Sequence, residues 1–315
     1  MPRKSKTSKT GGRTTSLRDL EIVPPKKGAF GIETEEFFPK LHTLTIASGK
    51  RGGGKSVAVA NYVNACLKKG YFDKVWLISP TYASNKEIWD MVPINEEEVM
   101  EPSKYCMKQI SDLVDKERES WDEFLERKKK YELYVNDMKK NKLNFDNPEV
   151  LTRLLEYEDL GFFDDKPKWP YQNEVPPRLA VIIDDCVGSD LMRLPSANLV
   201  NTCIKHRHLG NGLGLSMFML VQSYACKDGV PRPIRENCTH LMLFRIAQEE
   251  QIKKLYSESD VDLSYDEFYQ MLKAVHAEPF QFLFMDFAPK EDKYRFRKNF
   301  TELIIPQTKA EDDKT

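Results

Sequence analysis

The sequence predicts an α/β fold in which a mostly parallel central sheet carries helices on both faces. Three observations predict it. An apolar strand leads through a glycine-rich turn into a helix between Leu41 and Lys69. A second apolar run begins at Leu179 and ends in the carboxylates of Asp184 and Asp185. Further short apolar runs alternate with helical patterns, an order typical of parallel sheets that bind ligands outside the carboxyl ends of their strands.

The composition is that of a globular protein with an unusual amount of charge. The 315 residues include 48 Lys and Arg against 49 Asp and Glu, so the formal net charge is −1. Charged residues make up 31% of the chain, above the usual value of about 25%, so part of it must be solvated helix or tail. This balance excludes a histone-like binder, and any contact with nucleic acid must come from local patches.

The two ends are predicted to be disordered. Residues 1–18 hold six basic residues and no acidic residue, interleaved with Ser, Thr and Gly. Such a segment buries too little apolar surface to offset its ordering entropy, so we assign 1–27 to a disordered basic arm. DNA contact, a solubilising tail and a localisation signal are all open for it. The tail 306–315 is also predicted to be disordered.

The glycine-rich turn matches the P-loop pattern G-x-x-x-x-G-K-[ST], which defines 28–305 as a P-loop ATPase domain. Small residues allow backbone N–H groups to surround phosphates at a helix N-terminus. Lys55 is then expected to reach the β- and γ-phosphates of ATP, and Ser56 to bind Mg²⁺. The predicted nucleotide-binding residues are Gly49, Lys50, Arg51, Gly52, Gly53, Gly54, Lys55 and Ser56.

A long segment, 96–177, separates the second predicted strand, Lys74–Ser79, from the run at Leu179. We interpret it as a helical insertion. Apolar residues at alternating steps of three and four predict a long amphipathic helix, followed by a shorter one from Pro148 to Leu160. Between Lys104 and Lys142 there are 11 basic and 9 acidic residues, so charge alone does not indicate a DNA-binding surface. The apolar stripe favours core or intersubunit packing.

The acidic pair after the run at Leu179 has the Walker B form. Asp184 is the predicted Mg²⁺ partner, directly or through a water molecule, and Asp185 is the candidate to polarise the attacking water. A later strand, Leu215–Val221, ends at Gln222. If this strand lies between the other two, in the additional-strand arrangement, Gln222 is placed near the γ-phosphate and can sense hydrolysis.

Arg207 is the predicted catalytic arginine. It lies near the end of a predicted helix that starts at Ser196. An arginine in that position could cross a subunit boundary and neutralise transition-state charge in a neighbouring site. A solvated basic helix end explains the same placement equally well.

A strand, a helix and a hairpin are predicted after these motifs. The run Thr239–Arg245 predicts another core strand, and Ser264 with Glu267 predicts a capping box at the start of a helix. The alternating segments Phe280–Asp286 and Tyr294–Phe300 predict a hairpin, which we interpret as an antiparallel extension of the sheet.

The cysteine spacing and the lengths of the apolar runs indicate which cellular compartment suits the protein. Six cysteines occur without a C-x-x-C pair, which favours reduced thiols over a disulfide framework or structural zinc. The longest strongly apolar run, Leu213–Val221, is far shorter than the ~20 residues of a membrane span. The N-terminus has no apolar region behind its basic residues, so no secretory signal is expected.

The ordered motifs resemble a known family. The runs are S-G-K-R-G-G-G-K-S, V-W-L-I-S-P-T-Y, V-I-I-D-D-C, K-H-R-H-L-G, M-L-V-Q-S-Y and P-I-R-E-N-C-T-H-L-M-L-F, between Leu41 and Arg245. Together they resemble the genome-packaging ATPases of nucleocytoplasmic large DNA viruses and virophages, which are FtsK–HerA P-loop motors with a RecA-like sheet. Lys50 and Arg51, which are bulky for a P-loop, and the long insertion depart from the family pattern.

The resemblance implies a homo-oligomeric ring that hydrolyses ATP with Mg²⁺ to drive double-stranded DNA into a capsid. Its implied partners are DNA, other copies of the chain, and capsid or portal-vertex proteins. Its implied location is the host cytoplasm or nucleus, with the virion as a further location. Arg207 becomes the favoured trans-acting finger, and Arg235 the second candidate. A helicase or conjugation-type DNA pump and a non-catalytic, nucleotide-gated capsid adaptor are the alternatives.

Overall fold

The computed structural model describes residues 32–35, 37–139, 147–193, 197–225, 229–246, 248–259 and 261–306. Within these residues nine strands form one sheet. They are β1 Leu44–Ser48, β2 Lys74–Ile78, β3 Val99–Met100, β4 Leu179–Asp184, β5 Leu215–Val221, β6 His240–Phe244, β7 Phe282–Asp286, β8 Phe296–Lys298 and β9 Glu302–Leu303. The predicted arm 1–27 lies outside the described residues, as does the predicted tail 306–315 apart from Pro306.

The helices include the five that the sequence predicted, which are α1, α3, α4, α5 and α9 in the numbering that follows. They are α1 Lys55–Lys68, α2 Lys86–Trp89, α3 Cys106–Lys139, α4 Pro148–Asp159, α5 Ala197–Lys205, α6 Leu209–Gly212, α7 Arg232–Glu236, α8 Glu249–Glu258 and α9 Tyr265–Val275. Gly70, just beyond α1, has a φ of +67°, which suits a glycine at a helix end. The predicted capping box is present at α9, where Ser264 and Glu267 bond each other's backbone N–H.

The strand order confirms the predicted fold class. It runs β3-β2-β4-β5-β1-β6-β7-β8-β9, with parallel pairing from β3 to β6 and antiparallel pairing from β6 to β9. Strand β5 therefore lies between β1 and β4, as the additional-strand arrangement requires. The antiparallel part is the predicted C-terminal extension, with a 3₁₀ turn at Asp292–Tyr294 between β7 and β8.

Alternate side chains of the buried strands point to two apolar cores, one on each face of the sheet. Ile46 and Met219 face the core that includes α3, α5, α8 and α9. Ala47 and Phe218 face the core formed with α1 and with Trp89. Strands buried on both faces are expected for parallel strands with helix crossovers.

The insertion packs against its own chain. Ile110 and Val114, in the first half of α3, are fully buried in the sheet core. Further along, the Trp121 ring lies 4.9 Å from that of Trp169 and the Phe124 ring 5.0 Å from it. The predicted apolar stripe therefore serves intrachain packing along this part of α3.

A buried charge network anchors the C-terminal hairpin. The His240 Nε2–H donates to Asp286 at 3.3 Å across the β6–β7 pair, and an Nη of Arg297 lies 3.8 Å from the same carboxylate. Arg297 also donates to the carbonyls of Phe37 and Phe300. The segment before β1 and the hairpin are thereby tied together.

The described cysteines Cys66, Cys106, Cys186, Cys203 and Cys238 are free and buried. Among the helices that the structure describes, none combines the length and the apolar character needed to cross a bilayer.

Candidate active site

The P-loop connects the end of β1 to the start of α1 at the edge where the parallel strands end. The Gly49 N–H donates to the carbonyl of Val221, so the loop is bonded to the end of the neighbouring strand. A Cβ at Gly49 would lie 2.5 Å from that of Phe244, so only glycine fits there. Gly54, directly before α1, has a φ of +93°, which a side chain would strain.

Lys55 is the first residue of α1, and its ammonium lies over its own loop. It donates to the carbonyls of Gly49 at 2.7 Å and Lys50 at 3.1 Å. Burial lowers its pKa, while the nearby charges of Asp184 and Asp185 act in the opposite direction. The predicted phosphate-binding cation therefore lies between the carbonyls of its own loop and the acidic pair.

Asp184 ends β4 and faces the start of α1. The Ser56 hydroxyl donates to its carboxylate at 3.3 Å, and the residue is only 3% exposed. Burial, followed by the charge of Asp185, raises the pKa of Asp184 to about 6 although Ser56 and Lys55 counteract it. A charged carboxylate at this position lacks sufficient compensation from the protein.

The donor set at Ser56 and Asp184 fits Mg²⁺. A hydroxyl and a carboxylate are hard oxygen ligands of the kind that Mg²⁺ binds beside substrate phosphates. A divalent cation there would also supply the positive charge that the buried carboxylate lacks. These two residues are therefore the ones that would hold the ion.

Asp185 and Gln222 meet beside the acidic strand. The Gln222 side-chain amide donates to the Asp185 carboxylate at 2.9 Å. This contact forms because β5 adjoins β4, so both residues follow neighbouring strand ends. Asp185 has a φ of +51°, and non-glycine residues held in this region are concentrated at functional sites.

One cavity of about 750 Å³ joins these groups. It extends from the P-loop to the acidic pair, to the segment after β2, and to the C-terminal hairpin. Its lining residues include Lys55, Ser56, Asp184, Asp185, Gln222, Thr81, Asn85, Phe280, Gln281 and Asn299.

Arg207 lies at the amino ends of the parallel strands, opposite to the P-loop. It is exposed, in the 3₁₀ turn His206–His208 that follows α5. Burial lowers the pKa of His42 to about 4, and the charges of Arg207 and Arg178 add to that effect. Because His42 and Arg178 precede β1 and β4, this is the edge where parallel strands begin. Strands of this length span about 17–23 Å, so Arg207 is remote from its own P-loop.

Arg235, the second candidate finger, is held within its own chain. Its guanidinium makes two hydrogen bonds to Glu258, at 2.7 and 2.8 Å, and its side chain is 8% exposed. It also lies over the ring of Tyr224. These contacts indicate a structural role for Arg235 in this conformation.

Several residues of the site were not anticipated. Arg245, at the end of β6, lines a smaller cavity of about 160 Å³ with Lys50 and Gln222. The rule that ligands bind where parallel strands end could have identified Arg245 and also Thr81, which follows β2. No comparable sequence signal marks the lining residues of the hairpin, because its strands run antiparallel.

Comparisons with known proteins found similarity only to solved structures. No family model matches this chain, and no curated protein matches it. The genome packaging NTPase B204 from Sulfolobus turreted icosahedral virus 2, in complex with ATPγS, is 11% identical, with 83% of this chain and 98% of that chain covered and a TM-score of 0.39.

Two further structures are similar over most of this chain. EssC (ATPases 2 and 3) from Geobacillus thermodenitrificans is 12% identical, covering 86% of this chain and 41% of that chain, with a TM-score of 0.42. The pCW3 conjugation coupling protein TcpA, in its monomer form with ATPγS, is 16% identical, covering 82% and 60%, with a TM-score of 0.41. At such identities and TM-scores these similarities transfer no function to this chain.

Proposed function

We propose that this chain is a Mg²⁺-dependent ATP hydrolase. One observation carries the proposal: a single cavity at the carboxyl edge of β1, β4 and β5 is lined by Lys55, Ser56, Asp184, Asp185 and Gln222. A phosphate-binding lysine, a hydroxyl beside a carboxylate, and a second carboxylate are the groups that phosphoanhydride hydrolysis requires.

The residues divide the chemistry among them. The loop amides and Lys55 bind the phosphates and neutralise charge that develops on them. Ser56 and Asp184 would hold Mg²⁺, which when bound supplies further positive charge to the phosphate oxygens. Asp185 orients the water whose oxygen attacks the γ-phosphorus, as the bond to the bridging oxygen of ADP breaks. The water proton passes to Asp185 or to solvent.

Asp185 suits the proton-accepting role better than Asp184. Asp184 is buried and bonded to Ser56, whereas Asp185 is half-buried and bonded to Gln222. A partly solvated carboxylate can accept a proton and release it again, while Gln222 links its position to the end of β5.

We further propose that hydrolysis drives double-stranded DNA into a viral capsid, in a homo-oligomeric ring with capsid or portal-vertex partners. This proposal comes from the ordered motifs that resemble packaging ATPases. The host cytoplasm or nucleus, and the virion, are the proposed locations. In such a ring Arg207 serves a neighbouring site, since within one chain a full strand length separates it from the phosphates.

The test is the ATPase rate as a function of protein concentration, with and without duplex DNA. A motor requires a rate per subunit that rises with assembly and with DNA. A rate that neither changes would contradict the motor. Strand displacement on a forked duplex would favour a helicase, and nucleotide binding without turnover in any oligomeric state would favour an adaptor.

The finger is tested by mixing variants. Arg207→Ala and Lys55→Ala subunits are each expected to turn over poorly alone and to recover some activity together, because a mixed interface pairs an intact P-loop with an intact arginine. Lys205→Ala, an exposed neighbour on α5, is the matched control and should keep wild-type activity. Failure of the mixture to recover activity would leave Arg207 a structural role.

A further inference from the structure

We propose that the C-terminal hairpin is the nucleobase site, and that it selects a purine by stacking on Phe280 and by a hydrogen bond from Gln281. The inference rests on the proposed nucleotide site and adds the part of the ligand that the P-loop does not contact. The P-loop residues recognise phosphates, and none of them accounts for the extension of the cavity towards the hairpin.

The hairpin adjoins the phosphate-binding loop directly. A Cβ at Gly54 would lie 3.5 Å from Phe280, so this ring flanks the first turn of α1. Behind it, the rings of Phe282 and Phe300 lie 4.9 Å apart, and Phe300 stacks on Tyr62 of α1, also at 4.9 Å. These aromatic contacts fix the hairpin relative to the helix that starts at the phosphates.

The fold does not require an exposed aromatic side chain at Phe280. It is 68% exposed and has a φ of +63°. A bulky residue with positive φ is a backbone outlier, and glycine would be the unstrained choice. An exposed aromatic ring held in a strained conformation beside a ligand cavity is suited to stack on a planar base.

The hydrogen bonds define the orientations of the side-chain amides of Asn299 and Gln281. The backbone N–H of Phe282 donates to Asn299 at 3.3 Å, which assigns the oxygen of that side chain. The Asn299 NH₂ group then donates to the side-chain oxygen of Gln281. The Gln281 NH₂ group donates one long hydrogen bond, of 3.5 Å, to the carbonyl of Pro279, and its second N–H gives it donor capacity for a ligand.

These features together specify the class of base. A flat aromatic surface and an amide donor suit an aromatic heterocycle with ring-nitrogen acceptors. Purines offer several such nitrogens and a larger stacking face than pyrimidines. The cavity of about 750 Å³ is in the range of sites that enclose a whole ligand of this size.

The test compares the affinities for ADP, CDP and inorganic pyrophosphate, measured by calorimetry with Mg²⁺ on the full chain. Pyrophosphate is the counterpart of ADP without base and ribose. Phe280→Gly removes the ring at a backbone position that glycine accepts, so folding is expected to be retained. Ile305→Ala, which is also an exposed apolar residue near the C-terminus but lies outside the cavity, is the control.

Phe280→Gly is expected to weaken ADP binding about tenfold, from lost stacking, while pyrophosphate affinity stays within about twofold. Gln281→Ala should reduce the preference for ADP over CDP. Unchanged ADP affinity in Phe280→Gly would overturn the proposal, and so would an equal loss for ADP and pyrophosphate. If the wild-type chain bound pyrophosphate but bound ADP no more tightly than pyrophosphate, only the base site would be overturned. Failure to bind either ligand would overturn the nucleotide site as well.

Discussion

Two buried aspartates at opposite edges of the sheet have opposite electrostatic environments. Asp184 ends β4 and is 3% exposed, and Asp286 ends β7 and is 5% exposed. Burial raises the pKa of Asp184 to about 6, with Asp185 adding to the effect. Burial also acts to raise the pKa of Asp286, but His240, the Ala288 N–H and Arg297 together hold it below its ordinary value.

The difference separates a buried carboxylate whose charge is compensated within the chain from one whose charge is not. Asp286 is fully compensated by groups of its own chain, so its charge contributes to the fold. Asp184 receives a hydroxyl bond and a nearby ammonium, which do not offset its desolvation. A carboxylate buried without sufficient compensation is a marker of a functional site, because a bound cation can supply what the protein lacks.

The largest expected effect is on stability at the compensated site. Asp286→Ala leaves Arg297 and His240 buried without the carboxylate that lies beside both of them, so we expect a loss of about 3–5 kcal/mol in the free energy of unfolding. Urea denaturation measures it. Asp292→Ala, which breaks an exposed pair with Arg295, is the matched control and should change stability by less than about 0.5 kcal/mol. A loss below about 1 kcal/mol for Asp286→Ala would contradict the assigned role of the network.

The next largest effect is expected on the rate of ATP hydrolysis, at the P-loop. Lys55→Ala removes the cation that neutralises phosphate charge, so the hydrolysis rate should fall about 10²–10³-fold, equivalent to about 2.7–4 kcal/mol. Lys68→Ala, at the exposed far end of α1, serves as control in a steady-state phosphate-release assay. If Lys55→Ala kept a rate close to wild type, the P-loop assignment would be lost.

Asp184→Asn should stabilise the protein without ligand. The pKa rises from 3.8 to about 6 on folding, so the charged form weakens the folded state above pH 6 by about 2–3 kcal/mol. That cost declines as the pH falls from about 6 to about 4, because the folded carboxyl takes up a proton before the unfolded one does. Thermal unfolding in EDTA from pH 4 to pH 8 should show the variant's advantage growing with pH.

Asp286 provides the reference for that series. Its folded pKa is lowered, so its stabilising contribution is present above the ordinary aspartate range and is lost as the pH falls through its folded pKa. In the same pH series, Asp286 therefore makes the folded state more stable as the pH rises, whereas Asp184 makes it less stable. An Asp184→Asn variant less stable than wild type at pH 8 would contradict the assigned environment.

The smallest effect is expected at Gln222, the exposed partner of Asp185. Gln222→Ala removes one hydrogen bond, so stability should change by less than about 0.5 kcal/mol while turnover falls about tenfold. Gln109→Ala, exposed on α3, is the control for both measurements. Unchanged turnover would show that Asp185 needs no positioning from β5.

The sequence predicted the parts of this architecture that depend on local chemistry. The P-loop at Gly49–Ser56, the acidic pair after β4 and the strand that ends at Gln222 each carry a short-range signal, and the rule for parallel strands gathers them at one edge. The pairing of Asp286 with His240 and Arg297 was not predictable, because it depends on the register of β6 with β7 across more than forty residues. The placement of Phe280 and Asn299 at the cavity depends on the same long-range packing.

The position of β1 in the sheet has a consequence for synthesis. Both of its neighbours come late in the chain, since Ile46 pairs with Met219 of β5 and with Leu241 of β6. At ~5–20 residues per second, about 8–35 s pass between translation of β1 and translation of its first partner. We therefore expect an unpaired apolar strand on nascent chains that end before β5. Pulse proteolysis of ribosome-bound chains should find the P-loop segment cleavable until β5 and β6 have both emerged.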